Sequence, residues 1–234
     1  MHGHKLKPLP SDSESPEERL LNEVCGLRVP AAYHTAFHRW QQFAQSQPGD
    51  RARLHFYLTA AARIAIGLGN ASPLEVGITL HHTYGVPVLP GSALKGLCRR
   101  GALRLKAVGT LDEQHLQILF GSGGDASAAA GAVIFHDAWY DPNSVDGQPF
   151  HRDVITVHHP NYYRTHGKTP PTDFDDPNPV PFLVIKPGAR FLFVLDAAHE
   201  SWAQLAKKIL VESLVHLGVG AKTNAGYGYF REGK

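Results

Sequence analysis

Apolar residues recur at helical spacing in four stretches of the chain, and each stretch predicts an amphipathic helix. The first helix starts at Pro16, with Ser15 as its N-cap and two glutamates in its first turn. The second runs over Ala31–Gln45, where three large aromatic residues share one face, and a Pro-Gly pair stops it. These two helices are predicted to precede the main body of the fold.

The third and fourth predicted helices each carry one apolar stripe. Ser92 is predicted as the N-cap of the third helix. Ser201 and Gln204 are predicted as a capping box that opens the fourth, which spans residues 201–217. The stripes consist of Leu94, Leu97, Cys98, Ala102 and Leu105 in the third helix, and of Ala206, Leu210, Leu214 and Leu217 in the fourth.

Alternating apolar positions rich in β-branched and aromatic residues predict strands between these helices. The first strand covers residues 54–66, with a bend near 60–62. Residues 182–185 and 190–195, joined by Lys186-Pro187-Gly188-Ala189, are predicted to form a hairpin. Further strands are predicted at residues 133–139, 154–157 and 225–230.

The order of these elements predicts an α+β fold, a ferredoxin-like (RRM-like) βαββαβ sandwich with N-terminal helices and inserted loops. Residues 1–15 are polar and rich in Pro and Ser, and are predicted to be a disordered leader. Residues 16–234 are predicted to be a single domain, with a helical extension at 16–48 and a core at 54–234. Residues 121–131 form a flexible loop, and the Pro/Asp/Asn-rich stretch 160–179 an insertion of functional or disordered character.

Composition places the chain among folded soluble proteins, with 234 residues, 43% hydrophobic and 19% charged. No apolar stretch is long enough to span a bilayer, and two cysteines without a C-x-x-C spacing favour a reducing cytoplasm. The net charge of +2 is too small to indicate nucleic-acid binding by itself, so the location of the cations matters more.

Histidine is abundant, with 15 residues, and this raises the question of a metal site. The adjacent pairs His81-His82 and His158-His159 do not have ligand spacing, because neighbours in extended backbone point to opposite sides. Surface or hydrogen-bonded histidines explain these spacings better. The sequence therefore predicts no metal and no cofactor.

The strongest chemical signal is the glycine loop, residues 218–228, with the sequence GVGAKTNAGYG. Glycine lets backbone amides turn toward a bulky partner, and such amides beside a Lys suit phosphate oxygens. It is not a nucleotide P-loop, because Ala221 precedes Lys222 and a helix precedes the loop. A tight turn that needs positive φ is the plainer interpretation, but it requires fewer glycines. Predicted phosphate contacts are Gly218, Gly220, Lys222, Thr223, Asn224 and Gly226.

A second signal is the one-signed charge of the third helix. Five cations and no acid lie between Lys95 and Lys106, whereas a solvated helix face normally interleaves glutamate. The start of the helix adds free amides and a positive dipole end, which suit a phosphate. A solvated face remains the alternative interpretation. The candidate polyanion contacts here are Gly91, Ser92, Lys95, Arg99 and Arg100.

Catalysis has less support, and the chain is not expected to be an enzyme. The nucleophile-elbow motif G-x-S-x-G is absent. The alternative is a metal-independent endoribonuclease, for which His81 or His82 would be the general base. Tyr227 and Tyr229 are interpreted as packing residues first and as base-stacking candidates second.

The glycine loop after a late helix, together with the earlier PGSALKG, resembles the RAMP superfamily of CRISPR RNA-binding proteins. More narrowly, the chain is similar to the family of sixth Cmr subunits of type III-B effector complexes. The resemblance covers the chain from about residue 54 to its end. The stretches that carry it include GITLHHTYG, LFG, GAVIFHDA, HHPNYY and NPVPF.

This resemblance implies a cytoplasmic structural subunit of a crRNA-guided complex that destroys invading RNA. Its implied partners are crRNA, target RNA and other Cmr-type subunits, the backbone RAMP proteins, with no membrane and no small-molecule substrate. The implied crRNA backbone contacts are Lys95, Arg99, Gly220, Lys222, Thr223 and Asn224. The 160–179 insertion would reach the guide–target duplex or the next subunit. The catalytic histidine of processing relatives lies elsewhere, so that activity does not transfer.

Overall fold

A computed structural model describes residues 15–72, 76–123, 128–157, 162, 164–172 and 178–232. The α-helices are α1 (Pro16–Gly26), α2 (Ala31–Gln45), α3 (Gly91–Ala107), α4 (Glu113–Phe120) and α5 (Glu200–His216). The strands are β1 (Ala52–Ala60), β2 (Val88–Leu89), β3 (Gly121–Ser122), β4 (Ala129–Ala130), β5 (Val133–Phe135), β6 (Ala138–Tyr140), β7 (Phe150–Val157), β8 (Asn178–Ile185), β9 (Arg190–Ala197) and β10 (Phe230–Glu232).

The main sheet is antiparallel and has the strand order β10-β1-β9-β6-β2, with β5 also paired to β9. When β2, α4 and the pairs β3–β4 and β7–β8 are left aside, β1, α3, the pair β5 and β6, β9, α5 and β10 occur along the chain in the order βαββαβ. The predicted α+β class with an antiparallel sheet is confirmed. Residues 191–197 of β9 are all buried, because helices cover both faces of the sheet.

Alternation along β1 shows which helix covers which face. Arg53 and Tyr57 face α2, where Arg53 donates to the Phe43 carbonyl and Gln41 donates to the Tyr57 hydroxyl. Phe56 faces the opposite way, and Lys207 of α5 lies over its ring. The sheet is thus the middle layer between the N-terminal helix α2 and the helix α5.

The two N-terminal helices have the predicted bounds. Ser15 caps α1, and a capping box joins it to Glu18. The other two caps differ from the prediction. Pro90 is the N-cap of α3, so the predicted cap Ser92 lies inside the helix. The helix α5 begins at Glu200 with His199 as its N-cap, so the predicted capping box at Ser201 is wrong. At α3, the link between β5 and β6 supplies the capping carboxylate, since the Gly91 amide donates to Asp137 at 2.7 Å.

The predicted hairpin of residues 182–185 with 190–195 is wrong. A turn does form, with Gly188 at φ +87° and the Ala189 amide bonded to the Lys186 carbonyl. However, β8 pairs with β7 in a separate two-stranded sheet, which we call the arm, and β9 pairs with β1, β5 and β6. A strand has two edges, and both edges of β9 are occupied, so β8 has no place beside it.

Other predicted boundaries also moved. The first strand ends at Ala60, after which Ile64 and Ala65 make isolated bridges, and the bend at residues 61–62 is where it was expected. Residues 133–139 form two short strands, residues 223–225 a 3₁₀ turn, and the last strand starts at Phe230. The predicted leader (1–14), the His158-His159 pair and much of the predicted insertion (158–161, 163 and 173–177) lie outside the described residues.

Candidate nucleic-acid interface

The glycine loop joins α5 to β10, and its glycines are needed by the fold itself. Gly218, Gly220, Gly226 and Gly228 all have φ between +72° and +88°. A Cβ atom at Gly220 would lie 2.3 Å from the Ala65 carbonyl oxygen, and one at Gly228 would lie 2.0 Å from the Val219 oxygen. The plainer interpretation of the loop, a turn that requires positive φ and close backbone approach, is therefore correct for these glycines.

Most amides of the loop are used inside the protein. Val219 donates to Gly228, Ala221 to Ala65, and Gly228 to Arg63, at 2.7 to 2.9 Å. Gly218 and Gly226, predicted as phosphate contacts, also donate to backbone carbonyls of the chain. These bonds hold the loop against the end of β1 and reduce the set of amides that can meet a ligand.

Three consecutive amides remain for an external acceptor. Within the described residues, the N–H groups of Lys222, Thr223 and Asn224 have no hydrogen-bond acceptor. Lys222 is left-handed, with φ +58° and ψ +29°, and a right-handed 3₁₀ turn follows it. Successive amides in such a change of hand converge into a concavity that binds anions. The backbone conformation here is the one that such a concavity requires, and it involves fewer amides than the sequence indicated.

The Lys222 ammonium stands beside this concavity. It lies 5.8 Å from the ring centre of Phe182 on the arm and 6.0 Å from that of Tyr227. No carboxylate in the described part of the chain forms an ion pair with it. Aromatic faces orient an ammonium without forming an ion pair with it, so the described residues leave the Lys222 ammonium available to an anionic ligand.

A polar cluster at the base of the arm fixes the position of the loop. The Tyr227 hydroxyl donates to Asp153 of β7 at 2.6 Å, and Arg63 donates to the same oxygen at 2.9 Å. Burial raises the pKa of the Asp153 carboxyl, but hydrogen bonds from Tyr227, the Val154 amide and Arg63 outweigh it and hold that pKa below its usual value. Burial and the bond to Asp153 raise the pKa of Tyr227. The cluster joins the arm, the loop and the chain after β1.

Arg63 is a further cation of this site that sequence reasoning missed. Its side chain is 45% exposed, so part of the guanidinium faces solvent next to the loop. The hydrogen bond and charge of Asp153 raise its pKa. A lone Arg between apolar residues was the available signal, but only the tertiary pairing with the loop reveals its neighbours.

The cations of α3 have different surroundings. Gly91 is buried, since a Cβ there would lie 2.1 Å from the Phe135 carbonyl oxygen, and its amide is already bound to Asp137. The predicted phosphate site at this helix start is therefore occupied by a carboxylate of the chain. Gly91, Ser92 and Lys95 line a cavity of about 590 Å³ that residues 120–123, 129–131 and 133–135 complete.

The rest of the cationic face of α3 is exposed. Arg99 and Arg100 are exposed and have no ion pair in the part of the chain that the structure describes. Lys106 is different, because Glu113 of α4 neutralises it. The solvated-face interpretation thus holds for one end of the helix and leaves Arg99 and Arg100 available to a polyanion.

The structure places the two sequence-predicted phosphate contacts, the start of α3 and the glycine loop, at different levels of the sheet. Gly91 lies over Phe135, which is level with Leu195 and Leu54 in the sheet. The glycine loop meets the sheet where Ala60 faces Phe230. Six residues of β1 at about 3.3 Å each put some 20 Å between these levels. The start of α3 and the glycine loop do not form one contiguous cradle.

The two candidate catalytic histidines lie in a turn. The Thr83 amide donates to His81 Nδ1 at 3.3 Å, and the His81 ring packs edge-on against Trp139 at 4.7 Å. His82 is exposed. Among the described residues, neither histidine contacts a carboxylate, and no group of three or more His, Cys, Asp or Glu residues is arranged to hold a metal ion. No helix in the described ranges has both the length and the apolarity that a bilayer crossing requires.

The family model of the RAMP superfamily matches residues 57–231, which include the end of β1, both long core helices and the whole glycine loop. The chain belongs to the RAMP superfamily. The resemblance recognised in the sequence is thereby confirmed at the level of the superfamily, and the glycine loop lies inside the matched region.

Similar proteins come from Cmr systems. The CRISPR system Cmr subunit Cmr6 of Pyrococcus furiosus is 27% identical over 222 aligned positions, which cover 71% of this chain and 64% of that protein. The chain thus spans less than two thirds of the length of this relative. A chain of the cryo-EM structure of the type III-B Cmr-beta bound to cognate target RNA superposes with a TM-score of 0.72 at 22% identity, over 92% of this chain and 72% of that one. The crystal structure of Cmr6 from P. furiosus superposes with a TM-score of 0.50 at 24% identity, over 78% of this chain and 99% of that one. At these identities the structures establish a shared fold.

Proposed function

We propose that this RAMP protein is a crRNA-binding structural subunit of a type III-B Cmr complex. The observation that carries the proposal is Lys222, an ammonium without a carboxylate partner in the described chain, beside three amides without acceptors. A phosphodiester offers the charge and the acceptor oxygens that this arrangement lacks. The likeness to Cmr6 and to a chain of a Cmr assembly supports the choice of complex.

The chemistry of the site favours binding to the RNA backbone. Backbone amides and Lys do not distinguish bases, so sequence preference is weak and affinity falls with salt. Arg99 and Arg100, some distance away on α3, would contact a second stretch of the same RNA or the target strand. Other Cmr-type subunits are the protein partners in this proposal, and a reducing cytoplasm suits the two free cysteines.

Cross-linking in the assembled complex tests the proposal directly. The full chain is reconstituted with the other Cmr-type subunits and a crRNA carrying 4-thiouridine, irradiated and digested, and the RNA-linked peptides are identified by mass spectrometry. We expect links within residues 218–228, and their loss in the Lys222→Glu variant. Links confined to other parts of this chain, or absent from it, would overturn the proposal.

A separate assay addresses the endoribonuclease alternative. In this proposal the protein is not an enzyme, because His81 holds a turn and has no second acid–base group beside it in the described residues. Repeat-containing RNA incubated with the pure protein in EDTA should stay intact. Discrete products with 2′,3′-cyclic ends that disappear in His81→Ala or His82→Ala would instead establish an enzyme.

A further inference from the structure

A groove of about 430 Å³ lies between α3 and α5, on the helical side of the molecule. Gly101 allows the two helices to approach closely, because a Cβ there would lie 2.1 Å from the Ser213 hydroxyl oxygen. Beyond this contact the helices and the turn after α3 enclose a groove with an aliphatic floor, of which Leu105 and Leu205 are partly exposed and the other members are buried. The floor consists of Leu105, Leu111, Leu205, Ile209 and Leu217.

The rim of the groove is predominantly basic. Arg104 and Lys208 line it, and neither forms an ion pair within the described residues. Glu212 is the acid of the rim, and it faces His216 of the rim at 3.3 Å. An aliphatic floor flanked by cations without ion-pair partners matches a partner that carries both apolar and acidic side chains.

We propose that this groove docks an acidic amphipathic helix of another protein subunit. Leucine-like side chains at i, i+3 or i+4 and i+7 would enter the floor, and Asp or Glu on the flanks would meet Arg104 and Lys208. An RNA ligand fits less well, since no Phe, Tyr or Trp lines the groove for an unpaired base to stack on. The proposal rests on the proposed function in one respect, namely that the chain works inside a multiprotein complex.

A second copy of this chain is the alternative that the experiment must separate. The outer face of α1 exposes Leu20 between Glu17 and Glu23, and the exposed Leu27 follows the helix, so α1 is itself an acidic amphipathic surface. Its docking into the groove of another copy would be head-to-tail and would produce open-ended chains rather than a closed dimer.

The test places the photo-crosslinking residue p-benzoylphenylalanine at position 208 of the full chain. The complex is then reconstituted with the other Cmr-type subunits and crRNA, irradiated and digested. We expect one linked peptide from a different subunit, acidic and with helical apolar spacing. A link to RNA, a link to residues 16–26 of a second copy, or no link would overturn the proposal.

A double charge-reversal variant measures how much the two cations contribute to retention of the docked subunit. Arg104→Glu with Lys208→Glu should weaken retention of that subunit at least 10-fold, whereas the matched exposed pair Arg19→Glu with Arg39→Glu should leave it unchanged. RNA cross-links at residues 218–228 are scored in the same samples. If those links persist while the subunit is retained equally by both pairs, the groove proposal fails and the proposed function stands; if the links are absent, the proposed function fails by itself.

Discussion

Arg53 holds the carboxylate of Asp196 with two parallel hydrogen bonds, 2.6 Å from Nε to Oδ1 and 2.7 Å from Nη2 to Oδ2. The two residues face each other across β1 and β9, and both are less than 10% exposed. Arg53 also donates to the Phe43 carbonyl at the end of α2, and His136 contacts Asp196 at 3.0 Å. One buried pair therefore fastens the N-terminal helices to the middle of the sheet.

Removing one member of this pair should destabilise the protein strongly. Arg53→Ala leaves the Asp196 carboxylate buried without its main partner, so we expect the free energy of unfolding to fall by about 3–5 kcal/mol in urea titrations. The double variant Arg53→Leu with Asp196→Leu should recover part of the loss, because it leaves no buried charge. A single variant that costs less than about 1 kcal/mol would contradict this account.

The same pair should make the stability of the protein depend on pH in the acidic range. Burial raises the pKa of Asp196, but the hydrogen bonds from Arg53 and His136 outweigh it, so the folded pKa lies below the usual value. A depressed pKa contributes stability above the unfolded pKa of about 3.9, and that stability is lost as pH falls toward the folded pKa. Thermal unfolding from pH 7 to 3 should show a steeper loss below about pH 5 in the wild type than in Asp196→Asn.

Glycine substitutions should separate backbone strain from steric conflict. Gly228→Ala combines φ +82° with a Cβ 2.0 Å from a carbonyl oxygen, and should cost more than about 2 kcal/mol. Gly226→Ala has φ +88° but open space, and should cost about 1–2 kcal/mol. Gly96→Ala, exposed in α3 with open space, should stabilise by about 0.5–1 kcal/mol. If chemical denaturation ranked the three changes in unfolding free energy in the reverse order, the conformational argument would be refuted.

RNA affinity should depend on Lys222 through charge. In fluorescence anisotropy with single-stranded RNA, Lys222→Ala should reduce the slope of log K against log salt by about 0.7, which corresponds to one phosphate contact. Arg39→Ala removes an exposed cation on α2 and should leave the slope unchanged. The double variant Lys95→Ala with Arg99→Ala measures whether the cations of α3 also contribute to the salt dependence of RNA affinity. An unchanged slope for Lys222→Ala would exclude a phosphate contact at this residue.

Tyr227 should matter more than its neighbour Tyr229. Tyr227 donates to a carboxylate, whereas Tyr229 donates to the Thr223 carbonyl at 3.2 Å. Hydrogen bonds to charged groups contribute more, so Tyr227→Phe should lower the free energy of unfolding by about 1.5–3 kcal/mol and Tyr229→Phe by about 1 kcal/mol or less. Equal losses for the two variants would mean that Asp153 finds another donor.

The sequence was informative where structure is local. The stripes of the third and fourth predicted helices, such as Leu94 and Leu210, are buried, because a helix periodicity needs only one chain segment. The helix α4 was missed, since eight residues hold only a short apolar pattern; its signal was Asp112, which caps the His115 amide. Strand pairing was predicted wrongly at the turn before Arg190, because burial of β9 in the sheet, and not turn chemistry, decides which strand lies beside it.

The candidate site was predictable in part for the same reason. The positive-φ glycines and Lys222 could be found from composition and spacing alone. The amides that remain available, the Asp153–Tyr227 bond and the role of Arg63 depend on contacts between segments about 70 to 165 residues apart. Likewise, the separation of Gly91 from the glycine loop follows from sheet register, which no single stretch of sequence contains.

The arm completes its ladder from the Phe150–Ile185 pair to the Val157–Asn178 pair, before the chain between residues 157 and 178 begins. Lengthening that connection costs about 0.6 kcal/mol of loop-closure entropy for each doubling of its length. Related proteins can therefore differ in the length and sequence of this connection at little thermodynamic cost, while the glycine loop keeps its geometry. We expect evolutionary novelty in these proteins to accumulate there.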